Sequence, residues 1–119
     1  MKIKIDENDK LFSQLVRLLA GNKCEYCGKS GEVTRLECSH FHSRRKKSVR
    51  FDTDNASCLC FTCHQFLGGN PYVHTEWFKK RLGSEKFEEL NRRAEMIVKL
   101  DKEAVKARLK EQIKLMGGC

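Results

Sequence analysis

Between Asp9 and Gly21 the apolar residues Leu11, Phe12, Leu15, Val16, Leu18 and Leu19 recur at the three- and four-residue spacing that gathers side chains onto one face of an α-helix. Asp9 can cap such a helix and Gly21-Asn22 can end it, so residues 9–20 are expected to lay an apolar face on a core. Val33 to Cys38 reads as a short strand. Residues 43–50 show no apolar period and are expected to form a loop, with a turn over Asp52 to Asn55. His64-Gln65-Phe66-Leu67 reads as a short helix stopped by Gly68-Gly69-Asn70-Pro71. A further helix, begun after Pro71 or after Thr75, carries Tyr72, Trp77, Phe78 and Leu82 and ends at Gly83.

Beyond Ser84, a good N-cap, Phe87, Leu90, Ala94, Ile97, Leu100, Ala104, Val105, Leu109, Ile113 and Met116 mark one face of what reads as a single long helix. A stripe of about eight turns exceeds what a small core can cover, and no other helix of that length is expected in the chain. The reading therefore divides the chain into residues 1–83, a compact domain, and residues 84–119, a helical arm that pairs with a second copy as a homodimer. The alternative is a helix that breaks and folds back. Gly117-Gly118-Cys119 reads as a loose terminus with an exposed thiol.

Composition sharpens this picture in two ways. A chain of 119 residues has a small core for its surface, and its seven cysteines, an odd number without an apolar leader, argue against a secreted disulfide framework. A reducing, cytoplasmic setting is expected, and no apolar run approaches the roughly 20 residues needed to cross a bilayer. The formal charge is +8; four metal-bound thiolates and a zinc ion would leave it at +6, still basic. Arg44, Arg45, Lys46, Lys47 and Arg50 crowd into one short segment, a pattern that suits DNA phosphates as well as a merely solvated loop.

The cysteines also supply the main candidate chemistry. Cys24-x2-Cys27 and Cys60-x2-Cys63 each offer two thiolates from a tight turn, and together they complete the tetrahedral shell of a structural zinc site. Four thiolates saturate the ion and leave no position for a reacting water, so that zinc is read as a scaffold. Cys38 and Cys58 are read as small buried residues. Between the pairs stand His40 and His42, one residue apart at the end of the expected strand, where extended backbone would point both into one cleft. An imidazole there can take a proton from water, and His64, beside the last cysteine, can carry a divalent ion.

Cys24-x2-Cys27, Leu36-Glu37-Cys38-Ser39-His40-Phe41, Arg50-Phe51-Asp52-Thr53-Asp54-Asn55 and Cys60-x2-Cys63-His64 together resemble the zinc-containing branch of the HNH, or His-Me finger, nucleases. The run from Arg50 to Asn55, with Gly69-Asn70 and Trp77-x3-Arg81-Leu82-Gly83, is similar to the phage NinG recombination proteins, and the cysteine frame also resembles phage endonuclease VII, a dimeric junction resolvase. The likeness covers residues 24 to about 93. It implies a small zinc-stapled ββα-metal core, which with the N-terminal helix and the long C-terminal helical arm read above makes an α+β fold. It further implies a phage or prophage origin and a metal-dependent endodeoxyribonuclease acting on branched or four-way-junction DNA.

In that reading His40 is the general base, Asn55 holds the loop that bears it, and His64 binds a catalytic Mg2+ or Mn2+. Ser39 stands where many relatives place a second ligand, Asp or His; serine is a feeble ligand for a hard ion, so His42 ranks as the first supplement, with Glu37 or water as others and His74 a weak one. Two other readings stay open: a noncatalytic zinc module that binds nucleic acid, and a less selective nicking HNH endonuclease.

Overall fold

The computed structural model describes residues 4–117; Cys119 lies outside them. Seven regular elements follow in the order α1 (Glu7–Leu19), β1 (Leu36–His40), β2 (Ala56–Cys60), α2 (Phe61–Gly68), α3 (Pro71–Leu82), α4 (Ser84–Ala94) and α5 (Lys102–Leu115), giving an α+β fold. Short 3-10 turns at Lys47–Val49 and Thr53–Asn55 tighten the segment between the strands.

α1 begins earlier than expected because Asp6, not Asp9, is its N-cap. Asp6 accepts from the Asp9 backbone N–H while the Asp9 carboxylate accepts from the Asp6 N–H, so a reciprocal capping box closes the first turn. Phe12, Leu15 and Val16 form the buried face of this helix. They pack in one cluster with Leu36 of β1, Leu59 of β2, Leu67 of α2, and Leu109 and Ile113 of α5. A second cluster joins Val49, Phe78, Leu90 and Ala94, against which Phe41 stacks on Phe78 with ring centroids 4.5 Å apart.

β1 and β2 form an antiparallel pair whose register sets Leu36 opposite Cys60 and His40 opposite Ala56. The expected strand over Val33–Cys38 thus begins three residues later and ends two later, and β2, the second strand that the resemblance implied, is an element the residue pattern did not mark. All five β2 residues are buried, so the strand shows none of the alternation that marks a half-exposed one.

The C-terminal segment differs most from expectation. The single long helix over residues 84–116 is broken: α4 ends at Ala94, residues 95–101 are irregular, and α5 starts afresh with Asp101 as its N-cap, accepting from Glu103 and Ala104. Asp competes for helix backbone N–H groups, and Ile97-Val98 are β-branched, so this stretch favours a break over propagation. Ser84 is the first helical residue of α4 instead of its cap, since Gly83 holds the cap position at φ 93°.

α5 folds back onto α1. Leu109 and Ile113 enter the first core, the Asn8 amide donates to the Lys102 carbonyl (3.1 Å), and Lys106 pairs with Glu7 (3.2 Å). Leu90, Ala94, Leu109 and Ile113 are therefore covered within the chain. Among the described residues the stripe is thus covered within the chain at these positions, while Ile97, Ala104 and Met116 stay exposed. Among the described residues no helix is long and apolar enough to cross a membrane.

Candidate functional site

The first cysteine pair sits in a knuckle between α1 and β1. The Cys24 N–H donates to the Lys29 carbonyl (2.8 Å) and the Gly28 N–H to the Cys24 carbonyl (2.9 Å), a reversal that needs the left-handed backbone of Gly28, φ 84°. The second pair straddles the join of β2 and α2, Cys60 ending the strand and Cys63 lying in the first helical turn. Glu25 ties the two together: its N–H donates to the Cys58 carbonyl (2.8 Å), its carboxylate accepts from the Cys58 N–H (2.6 Å), and Arg81 clamps its other oxygen (2.7 Å).

The result is four Sγ atoms, of Cys24, Cys27, Cys60 and Cys63, all within 4.8 Å of one another. The Cys27 and Cys60 sulfurs are 3.8 Å apart. Tetrahedral Zn–S bonds of about 2.3 Å imply an S···S edge of about 3.8 Å, so the donor set has the size and chemistry of a zinc site.

The electrostatics agree. Burial raises the Cys24 pKa, but N–H groups pointing at its sulfur outweigh this and bring it down to about 6. Cys63 is pushed well above the ordinary thiol value by burial and by its three sulfur neighbours. Four crowded thiols cannot all ionise without a cation among them; a zinc ion would remove that penalty and draw off the remaining protons. Cys38 and Cys58, opposite one another in the strand pair, are raised to about 12 and about 11, first by burial, and lie outside the cluster.

An open cleft is lined by α1, β1 and His64 of α2, and into it His40, Glu37 and His64 converge with the cations Lys10, Arg17, Arg35 and Arg44. His40 ends β1 and its Nε2 lies 2.9 Å from the Arg50 carbonyl oxygen. A carbonyl only accepts, so Nε2 carries the proton and Nδ1 is the free base of the neutral ring. Burial is the main cause of a His40 pKa below the usual imidazole value; the bond to Arg50 opposes this and Arg44 adds to it. Phe12 packs on the ring at 5.4 Å.

His64 Nδ1 lies 2.8 Å from the Glu37 carboxylate. The carboxylate accepts, so the proton sits on Nδ1 and the Nε2 lone pair is left for a ligand, the arrangement in which carboxylates commonly orient metal-binding histidines.

Asn55 is fully buried and uses its whole amide. Oδ1 accepts from the His42 N–H (2.8 Å), and Nδ2 donates to the His42 and Val49 carbonyls (both 3.1 Å). With the Phe41 N–H on the Asn55 carbonyl (2.8 Å), these bonds close the loop between the strands behind His40.

Other expected site residues are placed differently. His42 lies past the end of β1, so the strand alternation that would aim it alongside His40 has stopped; its Nε2 bonds the Asn91 side chain of α4 (2.8 Å), and it does not line the cleft. Ser39 is buried and also absent from the cleft wall. His74 packs among Phe41, Trp77 and Phe78.

The basic segment is divided. Arg44 faces the cleft, 3.8 Å from Asp9; Lys46 pairs with Glu95 at 3.6 Å; and Arg45, Lys46 and Lys47 line a separate depression beside Met96 and Ile97. Arg50 is held by Asp9 through two bonds of 2.6 and 3.1 Å, which spends its guanidinium within the fold instead of on a ligand. Lys10, Arg17 and Arg35 are the cleft cations that the sequence reading missed. Lys10 and Arg17 could have been found, since they lie seven residues apart on the polar face of α1; Arg35 had no such signal.

No curated protein and no solved structure matches the chain. A family model described as bacteriophage lambda NinG protein matches residues 2–117, a span that takes in the four-cysteine cluster, His40, Asn55 and His64 alike. The chain therefore belongs to the NinG family of phage proteins.

Proposed function

We propose that this protein is a metal-dependent DNA endonuclease of the HNH type, with a ββα-metal core formed by β1, β2 and α2, acting on branched or recombination-intermediate DNA. The observation that carries the reading is the tautomer-locked His40, its Nε2 tied to the Arg50 carbonyl, in the same cleft as the Glu37–His64 pair. In this reading Nδ1 of His40 takes a proton from water, the hydroxide attacks the scissile phosphorus, and the 3′ oxygen departs, leaving a 5′-phosphate. Lys10, Arg17, Arg35 and Arg44 bind the phosphates on either side. His64, oriented by Glu37, would hold a magnesium or manganese ion through Nε2, with water filling other positions as magnesium permits; bound there, the ion would stabilise charge on the phosphate. The preference for branched DNA rests on the likeness to NinG proteins and junction resolvases.

A second reading, a noncatalytic zinc module that binds nucleic acid, is favoured by one feature. Among the described residues, the four cysteines are the single group of three or more His, Cys, Asp or Glu ligand atoms gathered closely enough to hold a metal, and Glu37 and His64 satisfy each other without an ion. Incubation with junction, flap and linear duplex DNA, with magnesium or manganese and with His40→Ala alongside, separates the readings. The nuclease reading expects cleavage lost in His40→Ala. Cleavage that survives the substitution refutes the assigned base, absence of cleavage with every divalent ion supports the binding module, and equal cutting of linear and branched DNA indicates a nonselective nicking enzyme.

A further inference from the structure

Away from the cleft, the zinc knuckle and α3 enclose an open groove of about 630 Å³ whose wall includes Tyr26, Tyr72, Trp77, Lys79 and Lys80. Tyr26 lies between Cys24 and Cys27, so the cysteine cluster fixes its position. Its ring meets Trp77 edge-on at 5.4 Å and Phe66 of α2 at 6.2 Å. Tyr72 is 78% exposed, Phe66 46% and Tyr26 39%. Arg81 stands 5.9 Å over the Trp77 ring. The rings are interleaved with cations, Lys79 and Lys80 against the one carboxylate of Glu76.

We propose that this groove is a second nucleic-acid site, one that binds unpaired bases of single-stranded DNA by stacking them on Tyr72 and Tyr26 while Lys79 and Lys80 hold the connecting phosphates. The charge decides against a purely apolar protein partner. Both lysines project at the groove edge, where burying them under an apolar surface would cost their hydration, whereas a phosphate backbone neutralises them. The site does not require the cleft to be catalytic.

Its position gives it a use. Phe66, whose ring meets the groove residue Tyr26, is two residues from the cleft residue His64 on α2, and the two leave the helix about 200° apart. A strand emerging from duplex in the cleft would pass α2 on its way to the stacking face. Such an arrangement distinguishes a duplex bearing an unpaired strand from plain duplex.

Trp77 is the single tryptophan of the chain, which makes its fluorescence a direct reporter of this groove. The test is a titration of the full-length, zinc-loaded protein with a thymidine oligonucleotide, without other divalent ions and at several salt concentrations. We expect saturable quenching. Tyr72→Ala should weaken binding about tenfold, within the roughly 5- to 150-fold range of losing one stacked base, and Tyr72→Phe should restore it. Replacing both Lys79 and Lys80 with Ala should lower the salt slope by about 1.4.

Tyr72 is so exposed that its removal should leave the fold intact, which far-UV dichroism and zinc content would check. Wild-type affinity in folded Tyr72→Ala overturns the proposal. So does equal quenching by a duplex of the same length. Light scattering that shows a dimer lost in Tyr72→Ala, with single-strand affinity unchanged, would make the groove a contact between copies instead.

Discussion

Replacing Asn55 with alanine offers the sharpest test of how the candidate site is held. The side chain is inaccessible to solvent and makes three hydrogen bonds, one accepted from the His42 N–H and two donated to the carbonyls of His42 and Val49. Alanine removes all three and strands one donor and two acceptors, the Val49 carbonyl buried and the two His42 groups half-buried. Each buried group left unpaired costs about 1–3 kcal/mol, and partial entry of water into the vacated space lowers the sum, so the expected loss is about 4 kcal/mol.

For a domain of this size that is a drop in melting temperature on the order of 15 °C and a large share of the total stability. Urea unfolding followed by Trp77 fluorescence measures it directly. Asn55→Asp keeps the shape but faces two carbonyls with an acceptor, so it should be at least as damaging. An asparagine that merely prefers a turn would cost under about 1 kcal/mol on replacement. A loss that small, with DNA cleavage or binding unchanged, would refute the claim that Asn55 organises the loop behind His40.

Three further outcomes follow from other parts of the fold. Chelation of zinc, or Cys60→Ser, should abolish cooperative unfolding and release one zinc per chain, measured by atomic absorption and dichroism; a protein that keeps its melting transition would contradict the staple. Leu109→Ala, at a fully buried α5 position, should destabilise by about 3 kcal/mol without altering the mass seen by light scattering, whereas a helical arm shared between copies would lose dimer instead. The third concerns acid. Burial raises the Asp9 pKa, but the hydrogen bond from Arg50, the Asp6 N–H and the charges of Arg50 and Arg44 together hold it below its ordinary value of 3.8. Asp9 therefore contributes stability that is fully present above that unfolded value and fades as pH falls through the lower folded one. Asp9→Asn should flatten this part of an acid-unfolding curve, and an unchanged curve would count against the pairing.

Much of the architecture was written in local pattern. α1 and α3 follow from apolar spacing and their stop residues, within a few positions at each end. Asp101, the residue that caps α5, stands within an apolar stripe that continues in register through the break. Periodicity alone does not distinguish one helix from two when the break preserves the phase. β2 was hidden for the opposite reason, since a strand buried on both sides has no period to detect.

The metal cluster shows what sequence by itself determines. Two C-x2-C turns each set a pair of sulfurs a few residues apart, so their fitness for zinc is legible without knowing how they meet, and the same holds for the caps and turns around them. The chemistry of the cleft was decided only by the tertiary structure. Arg50 was one cation of a basic run until Asp9, 41 residues away, claimed its guanidinium and left its carbonyl to orient His40. His42 was equivalent to His40 until the strand ended between them and Asn91 took its ring. Lys10, Arg17 and Arg35 were scattered charges until α1 was laid beside β1. The reason is common to all of them: what a polar side chain does depends on which distant group reaches it first, and that choice is made by packing, not by its neighbours in the chain.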